Sequence, residues 1–306
     1  MSFIDSRTTT TELSEKKNLF IIKLIAMLSL VRWYNILILT IALYLSALFM
    51  FENDKIWLSK LYILKDLKLH INIFSLSALI MAGYIINAFY DYEKDLINHP
   101  KTTVFGRVIS KASCLNTYIG LLLIGFLLSA FTENWNVFIF NLGFSFGLWL
   151  YSHKLRKKPL TGEMGASLLT IAPFASISLY YMQINPTIIL YVSYIFAITF
   201  TREVIKKMVS LKGDLIVKEK SIPILFGIKN TKYIIFILMI LSLVPIGVIL
   251  PDIIDKKIAY YFILSAIMII GAIFLLKNSK TPTHFNRINN IYKLILVLAI
   301  VSIILY

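Results

Sequence analysis

Uncharged apolar runs of bilayer length recur along this chain, and they restrict its fold more than any other feature. Residues 71–86, INIFSLSALIMAGYII, hold no charged side chain, and similar runs follow one another as far as Tyr306. A run of roughly 20 apolar residues spans the hydrocarbon core as a helix, because a helix satisfies its backbone N–H and C=O groups within the segment. Composition agrees: 58% of the 306 residues are hydrophobic and the mean hydropathy is +0.78, values foreign to a soluble domain of this length. The expected fold class is all-α, a polytopic membrane bundle of about nine transmembrane helices around a lipid-open cavity. The expected spans are roughly 18–51 (long, with Arg32 to Asn35 inside it), 71–91, 114–131, 136–151, 164–182, 187–205, 233–250, 258–276 and 290–306. Residues 1–17 read as a polar tail without the basic start, apolar core and cleavage site of a signal peptide, and 18–306 as a single membrane domain.

Charge supplies the orientation. The chain has 31 Lys and Arg against 16 Asp and Glu, a net charge of +15. Most of these basic residues fall in the loops after spans two, four, six and eight, so the positive-inside rule puts those loops and the N-terminus in the cytoplasm and Tyr306 outside. The chain therefore reads as a protein of a bacterial-type inner (cytoplasmic) membrane. A polybasic cytoplasmic face meets anionic lipid headgroups, which accounts for the charge without nucleic acid as a partner. The densest basic cluster, REVIKKMVSLKGDLIVKEK, carries Arg202, Lys206, Lys207, Lys212, Lys218 and Lys220. With Cys114 alone and His70, His99, His153 and His284 far apart, any metal chemistry must use oxygen ligands.

At the cytoplasmic end of span two the sequence NAFYDYEKD places Asn87, Asp91 and Asp95 at intervals of four, on one face of a helix. Like charges at that spacing are mutually unfavourable, and burying them against other helices costs far more unless a cation sits beside them. Mg²⁺ meets the need, since it takes oxygen ligands and is commonly held by one or two carboxylates together with substrate phosphates. An interfacial salt bridge is the plain alternative for such a pair. A second polar face at the end of span six, four spans later, points instead to two helical halves meeting around one site.

These segments together resemble the UbiA-type intramembrane prenyltransferases. NAFYDYEKDLINHP resembles their first aspartate-rich motif. YSHKLRKKPLTGEMGAS resembles their loop between helices four and five, and RWYN the Arg-x-x-Asn of helix one. REVIKKMVSLKGDLIVKEKSIPILFG resembles their second motif and the Pro-x-x-x-Gly entrance to helix seven. The wording of the first motif is most similar to the branch that makes digeranylgeranylglyceryl phosphate.

The resemblance implies an enzyme that ionises an allylic prenyl diphosphate with Mg²⁺ and lets a lipid-forming or aromatic acceptor capture the prenyl cation. It implies Asn87, Asp91 and Asp95 as holders of one metal and Asp214 as a holder of a second. Arg156, Arg202, Lys206 and Lys207 would contact the diphosphate, with Tyr151 near the reacting end. Phe89, Tyr90 and Tyr92 could shield a cation, although packing is the commoner role for aromatics in such a chain. The chain departs from the pattern at Lys207 and Ser210, where relatives usually carry aspartates ahead of Asp214, and at Thr102, where an Arg is frequent. Two other readings compete. One is a non-catalytic isoprenoid-binding membrane protein with a degraded second motif. The other is a transporter, whose ionisable groups would sit near the midplane rather than at one mouth.

Overall fold

The computed structural model describes residues 21–51, 61–98, 109–183, 186–216 and 220–305, and helices joined by short turns make up nearly all of them. The expected long first span is divided. Helix α1 (Ile21–Leu30) ends at a turn, and α2 (Trp33–Ser46) restarts after Arg32, whose φ of 53° is left-handed. The Arg32 guanidinium lies 5.2 Å from the centre of the Tyr84 ring, a contact that draws the charge onto the bundle and breaks the run of apolar residues around it. Over its described residues α1 buries Ala26 against Ile85, Ile109 and Cys114 and exposes Ile21, Ile22, Leu24 and Ile25. That is the pattern of a helix lying along an apolar surface.

The remaining helices follow the apolar runs. They are α3 (Leu67–Asn98), α4 (Lys111–Phe131), α5 (Trp135–His153), α6 (Thr161–Tyr181), α7 (Pro186–Val209), the short α8 (Leu211–Ile216), α9 (Ile222–Leu241), α10 (Val244–Ile253), α11 (Ala259–Lys277) and α12 (Pro282–Ser302). Residues that dislike a helix interior mark their ends. Ser110 and Asn134 accept hydrogen bonds from the first-turn N–H groups of α4 and α5, and Gly227, at φ 77° inside α9, supplies the positive φ at which the chain bends after Pro223.

Eight segments are long and apolar enough to cross a membrane among the described residues. The expected span 136–151 is not among them: α5 has the length, 19 residues, but Asn136, Asn141, Ser145, Ser152 and His153 dilute it. Its polar residues have partners. Asn141 donates to Ser129 at 3.0 Å and to Ser75 at 3.4 Å, Ser75 donates to the Gly125 carbonyl at 2.7 Å, and Ser176 reaches Asn72 at 3.2 Å and Asn141 at 3.4 Å. These buried groups tie α3, α4, α5 and α6 together, as polar side chains do where lipid offers no hydrogen bonds. Gly125 permits the approach, for a Cβ there would lie 2.6 Å from Leu79.

The two helices that carry the motifs are the most buried spans. The apolar window of α3 is 72% buried and that of α7 50%, against 17 to 39% for the others. Around them α4, α5 and α8 pack on α3, while α6, α9, α10 and α12 pack on α7. At the end of α3 remote from its aspartates, Asp66 accepts from the Lys68 N–H and from the Tyr180 hydroxyl, 2.6 Å away, and Lys68 pairs with Glu133 at 2.6 Å. That lysine holds the exposed Glu133 carboxyl below its usual range.

Candidate active site

The last turns of α3, the loop between α5 and α6, the end of α7 and the short helix α8, which buries Gly213 and Asp214, meet at one mouth of the bundle. Asn87 and Asp91 stand one helical turn apart, and one side chain engages both. The Arg156 Nη1 donates to Asn87 Oδ1 at 2.7 Å and forms an ion pair with Asp91 Oδ2. Arg156 and Asp91 are 19% and 11% exposed, so the pair is largely removed from water.

The local sequence explains how a loop arginine reaches an inward carboxylate. KLRKKPLTG makes a tight 3₁₀ turn at Leu155–Lys157, then turns through Leu160 at φ 65° into α6. A Cβ on Gly162 would stand 2.9 Å from the Arg156 carbonyl, and one on Gly165 3.2 Å from the Tyr151 ring. These two glycines let the loop and Tyr151 lie directly on the start of α6. Tyr151 is half-buried there. Its neighbours complete an aromatic rim: His153 shares a 3.1 Å hydrogen bond with the Tyr90 hydroxyl and stacks on Trp149. Tyr90 therefore has a packing partner, as composition favours for such aromatics.

At the end of α7 the charges pair along the helix itself. Lys206 donates to both oxygens of Glu203 at 2.8 Å, and Arg202 Nη1 lies 3.8 Å from the same carboxylate. The Arg202 Nε is buried without a hydrogen-bond partner. Arg156 and Arg32 are among the charges acting on this pair, which links it to the α3 cluster. Asp214 on α8 is fully buried and accepts from Ser210 at 3.4 Å. Lys207 is half-buried and faces the charge of Glu163.

Two of these acids were not singled out from the sequence. Glu203 could have been, since three residues separate it from Lys206, a spacing that pairs opposite charges on a helix. Glu163 could also have been: it is an acid in the first turn of an otherwise neutral span, where the helix dipole favours negative charge. Glu163 is 1% exposed and neither carboxylate oxygen has a hydrogen-bond partner. The side chain of Asp95 and the whole of Thr102 lie outside the described residues.

The oxygens of Asn87 and Asp91 form a hard donor set that suits Mg²⁺, and a guanidinium already satisfies their demand for positive charge. Among the described residues no three His, Cys, Asp or Glu side chains stand close enough to hold a metal by themselves. A cation here would complete its shell with water and substrate oxygens, which is how Mg²⁺ is usually bound.

Comparison with known proteins identifies the family. The UbiA prenyltransferase family profile covers residues 55–294. The digeranylgeranylglyceryl phosphate synthase of Sulfurisphaera tokodaii is 31% identical over 227 residues, 68% of this chain and 72% of that protein. The enzyme of the same name from Methanobrevibacter smithii is 31% identical over 173 residues, 53% of this chain and 59% of its own length. A solved structure described as a digeranylgeranylglyceryl phosphate synthase in membranes shares the fold, with a TM-score of 0.68 at 23% identity over 92% of this chain and 97% of that one. So does a UbiA homolog from Archaeoglobus fulgidus bound to GPP and Mg²⁺, with a TM-score of 0.61 at 16% identity over 91% of this chain and 99% of that one. By sequence over most of its length and by fold over nearly all of it, the chain belongs to the UbiA prenyltransferase family.

Proposed function

We propose that this protein transfers an isoprenoid group from an allylic prenyl diphosphate to a lipid-forming acceptor, in the manner of geranylgeranyl transfer to geranylgeranylglyceryl phosphate, and that it requires Mg²⁺. The observation that carries this reading is the meeting of Asn87 and Asp91 with Arg156 beside the Arg202 and Lys206 cluster, oxygen donors and cations together at one mouth. Relatives named as digeranylgeranylglyceryl phosphate synthases support the acceptor class, and the homolog bound to GPP and Mg²⁺ supports the donor and the metal.

The reaction breaks the bond between C1 of the prenyl chain and the diphosphate oxygen, which leaves with the electron pair. C1 then bonds to the acceptor, which gives up a proton. Mg²⁺, when bound, neutralises the departing diphosphate. Asn87, Asp91 and Asp95 would hold it, with Asp214 as the α8 contribution to a second position. Arg156, Arg202, Lys206 and Lys207 bind and orient the diphosphate, and fixed cations aimed at developing charge are the largest catalytic contribution expected of the protein. The Nε of Arg202, buried without a hydrogen-bond partner, keeps a donor available to such an anion. Tyr151, held against Gly165, would lie near the reacting end of the prenyl chain.

We place the mouth and the N-terminus in the cytoplasm, in a bacterial-type inner membrane, with residues 18–306 as one membrane domain. Membranes containing the protein, incubated with labelled prenyl diphosphate, Mg²⁺ and either geranylgeranylglyceryl phosphate or an aromatic acceptor, test the reading. A labelled ether lipid supports it, a labelled aromatic product moves the acceptor class, and saturable binding without turnover identifies a binding protein instead. A reporter fused after Tyr306 tests orientation and decides whether α5 crosses. With a second reporter at the N-terminus to fix its side, termini on opposite sides give nine crossings, whereas both termini in the cytoplasm remove α5 from the bilayer count.

A further inference from the structure

The Arg156 guanidinium is bound where a cation would sit. It lies between the Asn87 amide oxygen, 2.7 Å away, and the Asp91 carboxylate, and these are the oxygen donors assigned above to Mg²⁺. We infer that Arg156 is an exchangeable counter-ion: it neutralises Asp91 until a divalent cation and a diphosphate arrive together, then passes from the carboxylate to the phosphate. The inference rests on the prenyl diphosphate reading and adds a binding order to it.

The argument is one of charge balance in a low dielectric. A divalent cation entering alone meets a guanidinium already on its ligands, and displacing that group leaves a shielded positive charge with no anion to receive it. A diphosphate entering alone finds its arginine occupied by Asp91. When both enter, Asp91 exchanges one cation for another and Arg156 exchanges a carboxylate for a phosphate, so no buried charge is stranded. The carrier of Arg156 is a loop, and this loop enters α6 through Leu160 at φ 65° and rests on Gly162. A short segment of this kind can shift the guanidinium without moving a helix.

Linkage makes the inference measurable, because a cation that improves diphosphate binding must itself be bound better by the same factor when diphosphate is present. The test uses the full chain in lipid nanodiscs, Mn²⁺ observed by electron paramagnetic resonance, and inorganic diphosphate. For the natural sequence, saturating diphosphate is expected to tighten Mn²⁺ binding by about tenfold or more. In Arg156→Gln, Mn²⁺ alone is expected to bind about tenfold more tightly, and the coupling to shrink below about threefold. The Mn²⁺ diphosphate complex that forms in solution is common to both proteins and cancels in the comparison. Arg156→Lys keeps one charge without the fork and is expected to retain part of the coupling, which serves if the Gln variant does not fold. An arginine that merely fastens the loop predicts the opposite: weaker Mn²⁺ binding alone and unchanged coupling in the variants. That result, or independent binding of the two ions to the natural sequence, overturns the inference and leaves the proposed function standing. Failure of Mn²⁺ to bind the natural sequence even with diphosphate overturns both.

Discussion

The ends of α3 and α7 carry the two halves of the proposed site, yet they handle charge in opposite ways. On α3 the carboxylate of Asp91 is paired across the bundle, with an arginine delivered by the α5–α6 loop. At the end of α7 and into α8 the pairs are local, Lys206 with Glu203 three residues away on α7 and Ser210, between the two helices, with Asp214 four residues on. Local pairs are satisfied by the helix whatever is bound, whereas a pair that depends on a loop can be exchanged. The difference assigns the ligand-responsive half of the site to α3 and a standing charge field to α7.

Substitutions can break or sharpen that contrast. Asp91→Asn, which removes the charge of the exchangeable half, is expected to lower turnover by about a hundred- to a thousand-fold, the cost of losing one well-placed electrostatic group. The variant should still insert and fold, as judged by its thermal transition in detergent. Activity within a few-fold of the natural sequence would take Asp91 out of the metal role.

On α7 the expected losses are smaller. A lysine about 4 Å from a diphosphate gains roughly 4 kcal/mol of Coulomb attraction at an effective dielectric near 20, before its own desolvation is subtracted. Lys207→Ala should therefore cost about tenfold in turnover, or about 1.4 kcal/mol. The double change Lys207→Asp with Ser210→Asp should recover activity with a steeper dependence on Mg²⁺. Turnover unchanged in Lys207→Ala at limiting Mg²⁺ would return the side chain to the lipid headgroups, where a lysine can also reach.

Glu163 sharpens the same point from α6. If its buried carboxylate orients Lys207, then Glu163→Gln should lose a few-fold of activity, and little more should be lost when it is combined with Lys207→Ala. Additive losses would separate the two residues. The smallest effect is expected at the opposite end of α3. Because Lys68 holds the folded carboxyl of Glu133 below its usual range, the pair stabilises the protein above that range and the contribution fades as the pH falls through it. Glu133→Gln should leave turnover untouched and remove only this acid-side dependence of the thermal transition, an effect limited by full exposure to solvent.

Much of this was readable from the chain because membrane helices advertise themselves. The runs that became α3, α4, α6, α7, α11 and α12 are apolar and bounded by polar residues, and the spacing of Asn87 and Asp91 put both on one face before any coordinates. The break at Arg32 was not readable, since apolar residues continue on both sides and the contact of Arg32 with the Tyr84 ring, 52 residues on, exists only in the fold. Nor could composition show that Arg156 joins Asn87 to Asp91, because 69 residues separate the first two in the chain and only the fold brings them together. The polarity of α5 was legible, but its meaning depended on Ser75, Ser129 and Ser176.

Those partners have a consequence for how the protein is made. Asn141 sits in a helix too polar to be drawn into lipid strongly by its own side chains, and an unpaired amide in hydrocarbon is unfavourable. Two of its partners, Ser75 and Ser129, belong to helices synthesised earlier, whereas Ser176 emerges from the ribosome later. The finished α3–α4 hairpin thus offers a hydrogen-bonding template as α5 leaves the translocon, and α6 closes the network afterwards. If α5 crosses the bilayer, its insertion and its packing against α3 and α4 are therefore one coupled step.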